Sequence, residues 1–286
     1  MPQAGFIRFS GALFLSSSLL LAAPATHAIA QPVAAVKQAD AAVLAQDIAS
    51  AGRVRMQSQR LAKLYLQSGI GLNGGAARQQ IDQGIGDVDA EFARLARQAR
   101  KSGIQRTYAR SEALWQEMRV ALKKAPDAAS AEGVGLLADE LMTHAGKLAM
   151  LIEGESETPV GRLLDLSSRL NMLSQRLARL YLQAYGGKHT QGVAVDIEQA
   201  RKEFASGLQE LDAARENSPA SREAIGLARN QWIFFESAIA ELGKADRREG
   251  KSAQHVATSS ERIAQVLDQA SLQYVRDYAD GLRGSR

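Results

Sequence analysis

The sequence contains no cysteine. This absence excludes disulfides, thiolate zinc sites, cysteine nucleophiles and the lipid anchor that lipoproteins attach to cysteine. Proline is also scarce, with 6 residues in a chain of 286, and aromatic residues make up only 5% of the total. A chain with so few helix breakers and aromatics, and with abundant alanine and leucine, is typical of an all-α protein.

After the N-terminal segment, the sequence has no long apolar run. No later stretch approaches the roughly 18 apolar residues of a membrane span. The first 30 residues combine Arg8, an apolar run from Gly11 to Ala23 and the pattern Ala28-Ile29-Ala30. This combination predicts a secretory signal peptide over residues 1–30. We therefore expect a periplasmic protein. The alternative is an uncleaved segment that anchors the chain in the inner membrane.

Motifs of catalysis and nucleic-acid binding are also missing. The net charge is +4, and the basic residues are interspersed with acidic ones instead of forming a basic stripe, so no nucleic-acid partner is expected. The sequence has neither a P-loop nor a Gly-x-Ser-x-Gly motif. His144, His189 and His255 lie too far apart for a helical metal-ligand pair. We predict no catalytic residue, no metal site and no cofactor.

What the sequence does contain is an internal repeat. Residues 51–67 and residues 167–183 are identical at 11 of 17 positions when they are compared at a shift of 116 residues. Such a match indicates a duplication. Leu166, Leu170, Leu173, Leu177 and Leu180 recur at steps of three and four, which predicts a helix with one apolar face.

The rest of the chain divides into further helical segments separated by turn sequences such as Gly-Gly, Ser-Gly and Asn-Ser-Pro. We predict an all-α fold of two tandem up-and-down four-helix bundles after the signal peptide, at residues 33–154 and 158–284. The helices are expected at 33–68, 76–101, 104–124, 129–153, 159–186, 193–215, 221–242 and 253–281. A near-continuous fourth and fifth helix would set the bundles end to end.

One charged residue of the repeat needs a partner. Arg55 lies on a stripe of small side chains where another helix can approach closely, and a buried guanidinium must be paired or bind an anion. An arginine fork suits small planar oxyanions. An ion pair with a carboxylate from another helix is the alternative. Arg53, Arg60 and Lys63 are expected to face solvent or to pair with acids.

The segment Ala51–Leu61, AGRVRMQSQRL, resembles the opening motif of the PilJ/NarX-like sensor domain, the type IV pili methyl-accepting chemotaxis transducer N-terminal domain. The resemblance implies a periplasmic four-helix bundle. In the nitrate sensors of the family, a Gly-x-x-Arg-Met element places its arginine against nitrate. Gly52, Arg55 and Met56 match that element, and with Ser58 they are the predicted ligand-binding residues. Asn171 and Ser174 are their counterparts in the second copy, which lacks the glycine and the arginine.

The resemblance also implies partners. We expect a small anionic ligand, such as nitrate or nitrite, and a separate membrane-bound sensor kinase or chemotaxis transducer. The alternative function is a non-sensing periplasmic helical scaffold linked to chemosensory or pilus systems. Because motif helices of the family meet across a homodimer axis, Arg55 either meets Arg55 of a second chain or its own relative Asn171. If the bundles lie end to end, the two motif helices of one chain are too far apart to meet, so we favour the homodimer.

Overall fold

The computed structural model describes residues 30–156, 159–240 and 251–284, and within these residues the chain forms helices and no strand. The all-α prediction is therefore confirmed. The predicted signal peptide lies outside the described residues, apart from Ala30. The helices are α1 Ala30–Gly69, α2 Gly74–Leu95, α3 Ser102–Leu122, α4 Ala128–Glu153, α5 Val160–Tyr185, α6 Gln191–Ala213, α7 Pro219–Ala240 and α8 Lys251–Gly284.

These eight helices correspond one to one to the predicted segments, and most of their ends lie within a few residues of the prediction. The largest difference is at α2, which ends at Leu95 and is followed by a short 3-10 turn at Gln98–Arg100. Asp127 begins α4 as expected of a capping residue, because its side chain accepts a 2.7 Å hydrogen bond from the Ser130 amide. None of the described helices is both long and apolar enough to cross a membrane.

The two repeated helices lie at the centre of the molecule. In the first half, α1 packs on α2 and α4, and α3 packs on α4. In the second half, α5 packs on α6 and α8, and α7 packs on α8. This packing is compatible with a four-helix bundle in each half, and the domain boundaries at 33–154 and 158–284 stay a prediction.

The expectation of bundles set end to end is wrong, because α1 packs along α5 and also contacts α8. Buried apolar residues of both halves form one continuous core. Close packing of α1 and α5 is favourable because their facing positions carry small side chains, and burying the apolar area of two long helices stabilises the pair. The halves therefore lie side by side through their repeated helices.

Candidate functional site

The repeated helices approach most closely at Gly52 of α1 and Ser168 of α5. A Cβ atom added to Gly52 would lie only 2.4 Å from the Ser168 hydroxyl oxygen, so only glycine permits this approach. Gly52 and Ser168 are equivalent positions of the repeat, 116 residues apart. Two copies of one helix thus meet at equivalent points, which gives the molecule an approximate internal two-fold axis.

Arg55 lies next to this crossing and is buried, with 7% of its side chain exposed. Its Nη2 donates hydrogen bonds to the Asp165 carboxylate at 2.8 Å, to the Asp165 carbonyl at 3.0 Å and to the Ser168 hydroxyl at 3.1 Å. Its aliphatic part lies against Gly146 of α4, where an added Cβ would be 3.3 Å from Arg55 Cδ. Arg55 therefore joins three helices.

The guanidinium of Arg55 is only partly satisfied. Its Nε is buried and has no hydrogen-bond partner among the described residues. Burial lowers the pKa of Arg55, and the charge and hydrogen bond of Asp165 oppose that shift. Glu153, at the end of α4, interacts electrostatically with both groups. Its pKa is raised, first by burial and then by the charge of Asp165, and the charges of Arg162 and Arg55 oppose this shift only in part. The crossing is thus a compact and buried charged site.

Asn171, the counterpart of Arg55, has a different partner. Its Nδ2 donates a 3.1 Å hydrogen bond to the Ala264 carbonyl of α8, and its Oδ1 is buried without a partner among the described residues. The structure therefore brings Arg55 to Asp165 and Ser168 of α5, and it does not pair Arg55 with Asn171.

The other predicted ligand residues are engaged within their own helices or in the core. Ser58 donates to the Arg55 carbonyl at 2.8 Å, and Ser174 donates to the Asn171 carbonyl at 2.7 Å. Met56 is buried among apolar residues. Ligand binding by Gly52, Arg55, Met56 and Ser58, or by Asn171 and Ser174, stays a prediction.

A second polar cluster lies further along the same interface. The ammonium of Lys63 is completely buried and donates to Gln175 Oε1 at 2.8 Å, to Ser260 Oγ at 3.0 Å and to the Glu261 carboxylate. These three acceptors match the three protons of an ammonium group. Burial lowers the pKa of Lys63, and the ion pair with Glu261 opposes the shift.

The same arrangement recurs on the other side of the internal axis. Arg179, the counterpart of Lys63, donates to Gln59 Oε1 at 2.9 Å and to Asp139 Oδ1 at 2.6 Å. Each cation therefore reaches across the interface to the glutamine of the other copy and to an acid on the fourth helix of the other half. Gln59 and Gln175 are also equivalent positions. The repeated Ser-Gln-Arg-Leu-Ala-Lys/Arg sequence thus supplies the polar contacts of the interface between the two halves.

Reasoning from the sequence missed these two clusters in part. Lys63 was expected to face solvent or to pair with an acid, and it pairs with Glu261 while fully buried. Arg53 and Arg60 also pair with acids, Arg53 with Glu91 at 3.1 Å and Arg60 with Glu261 at 2.9 Å. Conservation of Gln59 and Lys63 as Gln175 and Arg179 between the copies was the available signal.

Away from the internal axis, the further candidates among the described residues are pockets and clusters of side chains that could bind a metal ion. A hollow between α7 and α8 is lined by Phe234, Ser237, Ala238, Ser252 and His255. In the described ranges no group of three or more histidine, aspartate or glutamate side chains could hold a metal ion. The internal axis is therefore the candidate site.

Residues 23–139 match the family model of PilJ, described as the type IV pili methyl-accepting chemotaxis transducer N-terminal region. The matched range contains the first copy of the repeat and begins inside the predicted signal peptide. The second copy, residues 167–183, lies outside the range, so a tandem pair of such domains stays a prediction. Neither the comparison with curated proteins nor the comparison with solved structures gives a match.

Proposed function

Because residues 23–139 match the family model of PilJ, we propose that this protein is an exported ligand-sensing module without catalytic activity. Its second half takes the place that a second subunit would occupy, because α5 covers the motif face of α1. We propose that the contact of α1 with α5 within one chain replaces the homodimer expected through the first motif helix. Instead, one chain supplies both sides of the helix pair.

The ligand that suits this helix pair is a small oxyanion such as nitrate or nitrite. The observation that carries the proposal is the state of Arg55, a buried guanidinium at the internal axis whose Nε has no partner among the described residues. A planar guanidinium offers paired N–H donors that match two oxygens of a carboxylate or nitrate. The Ser168 hydroxyl, 3.1 Å from Arg55 Nη2, provides a further polar contact.

Calorimetry on the purified mature protein tests this proposal with nitrate, nitrite and formate as probes. We expect wild type to bind at least one of them and Arg55→Ala to bind it at least about ten-fold more weakly, since a charge-assisted hydrogen bond contributes about 1.5–3 kcal/mol and 1.4 kcal/mol is a factor of ten. Asn171→Ala changes the equivalent position in the second copy and serves as the control. It should bind like wild type.

A scaffold that binds other proteins and no small anion is the second candidate. It is favoured by the Arg55–Asp165 ion pair, because this pair gives Arg55 a structural role in joining α1 to α5. Under this alternative, wild type binds none of the probes, and Arg55→Ala acts only by lowering the melting temperature. The calorimetric result on wild type therefore decides between the two candidates.

Export and a membrane-bound partner complete the proposal. A membrane-bound chemotaxis transducer or sensor kinase would read the state of the helix pair, and the match of residues 23–139 to a transducer N-terminal region supports such a partner. Cleavage is proposed near Ala28 or Ala30. N-terminal sequencing of the protein recovered from the periplasm checks it, and recovery only from membranes with Met1 retained would support the anchored alternative.

A further inference from the structure

The acid that pairs with Arg55 is Asp165, which the sequence analysis does not single out. Its carboxylate accepts a 2.8 Å hydrogen bond from Arg55 Nη2, and 20% of its side chain is exposed. A carboxylate is itself a small planar oxyanion, close in shape to formate and nitrate. Asp165 therefore already places on Arg55 the kind of group that a ligand would bring.

The internal repeat shows that Arg55 and Asp165 belong together. At the shift of 116 residues, Arg55 corresponds to Asn171 and Asp165 corresponds to Ala49, so the second copy lacks both members of the pair. Other ion pairs of the repeat are kept: Arg53–Glu91 recurs as Arg169–Glu203, and Lys63–Glu261 is mirrored by Arg179–Asp139. The Arg55–Asp165 ion pair thus differs from the ion pairs that both halves contain, because it occurs on one side of the internal axis only.

We propose that Asp165 is a resident ligand that occupies the oxyanion site and sets its affinity, an inference that rests on the anion-binding function proposed above. An incoming anion must displace the Asp165 carboxylate from Arg55, so it binds against a competitor of fixed position. Glu153 lies near the same groups and adds negative charge that disfavours anions generally. The site therefore binds an anion only where the contacts of that anion, including those with Arg55 Nε, which is unpaired among the described residues, outweigh the loss of the Asp165 contact.

The position of Asp165 in the chain gives the displacement a consequence. Asp165 lies near the start of α5, which begins at Val160 directly after the connection from α4. Its carbonyl also accepts from Arg55 and from the Ser168 hydroxyl, at 3.0 and 2.9 Å. Replacing its carboxylate by a free anion removes one link between α1 and α5. Binding would thus loosen the start of α5 against α1.

Removal of the resident carboxylate tests the inference. Asp165→Ala leaves Arg55 buried without its acid, so the variant should melt below wild type, and nitrate or formate should raise its melting temperature more than that of wild type. The matched control is Arg55→Asn/Asp165→Ala, which reproduces the natural Asn171 and Ala49 of the other side. Its melting temperature should not respond to either anion.

Asp165→Asn keeps the size of the side chain and serves if the alanine variant does not fold. It should bind nitrate about ten-fold or more tightly than wild type, because the competing charge is gone. A purely structural Asp165 would lower the melting temperature and leave nitrate affinity unchanged. The inference is overturned if Asp165→Asn binds no more tightly than wild type, or if the anions do not stabilise Asp165→Ala.

These results separate the two proposals. If wild type binds nitrate and Asp165→Asn binds it equally well, only the resident-ligand inference fails. If wild type and both Asp165 variants bind no anion, the anion-sensing function fails with it. If both Asp165 variants bind nitrate and wild type does not, the resident-ligand inference holds, and anion sensing by the wild-type protein fails.

Discussion

At the scale of single residues, the interface between the halves depends on charges that are buried and paired. Lys63 is fully enclosed and Glu261 is mostly enclosed, with 27% of its side chain exposed. Burial by itself would raise the pKa of Glu261, but the charges and hydrogen bonds of Lys63 and Arg60 outweigh it and lower the pKa to about 2. The carboxylate is therefore more stable in the folded chain than in the unfolded one.

This shift predicts an acid-dependent loss of stability. A carboxyl group whose pKa falls from 4.5 to about 2 on folding stabilises the native state above about pH 4.5, and the contribution disappears as pH falls towards 2. The full contribution is up to about 3 kcal/mol, since one pKa unit is worth about 1.4 kcal/mol. Glu261→Gln should lose stability at pH 7 and show a flatter decline below pH 4.5 in urea unfolding.

A matched control for Glu261→Gln is Glu132→Gln. Glu132 forms an ion pair with Lys188 at 2.6 Å, but both side chains are exposed. Exposed pairs contribute little because water and salt screen them. An equal loss of stability in the two variants would mean that burial of the Lys63–Glu261 pair has no special importance.

At the scale of secondary structure elements, the closeness of α1 and α5 depends on Gly52. No side chain fits between Gly52 and Ser168, whereas the exposed Gly86 of α2 has nothing within 4 Å of an added Cβ. Both glycines lie inside helices, so alanine is favoured at both by helix propensity. The environment of each glycine therefore decides the sign of the effect.

We predict that Gly52→Ala lowers the free energy of unfolding by about 1–3 kcal/mol, because the added methyl group forces α1 away from α5. Gly86→Ala should raise it by about 0.5–1 kcal/mol. Chemical denaturation measures both. Adding Ser168→Gly to Gly52→Ala should recover part of the loss, and a double variant with the full sum of the single effects would argue against this crossing.

At the scale of the whole molecule, the two halves share one core. α1 contacts α5 and α8 of the second half, and apolar residues of both halves form a single buried cluster. From the sequence, the motif helix α1 is expected to pair with a second chain. In the structure, α1 packs against α5 of the same chain. A molecule joined in this way has no need of a second copy to complete its central helix pair.

The expected result is a monomer that unfolds as one unit. Light scattering coupled to size exclusion should give the mass of a single chain, which is 30.7 kDa at full length. Calorimetry should show one transition with equal calorimetric and van't Hoff enthalpies. Two separate unfolding transitions would contradict the shared core. A mass twice as large would contradict the expected monomer.

The sequence by itself determined the helices and the duplication. Apolar spacing and turn residues act over a few residues, so they predicted eight helices and an all-α class before any contact was known. The repeat and its likeness to the PilJ motif were visible as identities. They directed attention to Arg55, and the structure places that residue at the axis between the two copies.

Only the tertiary structure decided how the two copies meet. Arg55 pairs with Asp165, which is 110 residues away, and Lys63 pairs with Glu261, which is 198 residues away. No local pattern selects one acid among many at such separations. The choice between end-to-end and side-by-side halves depended on the close contact of Gly52 with Ser168 and on polar partners from four helices, and these exist only once the chain has packed.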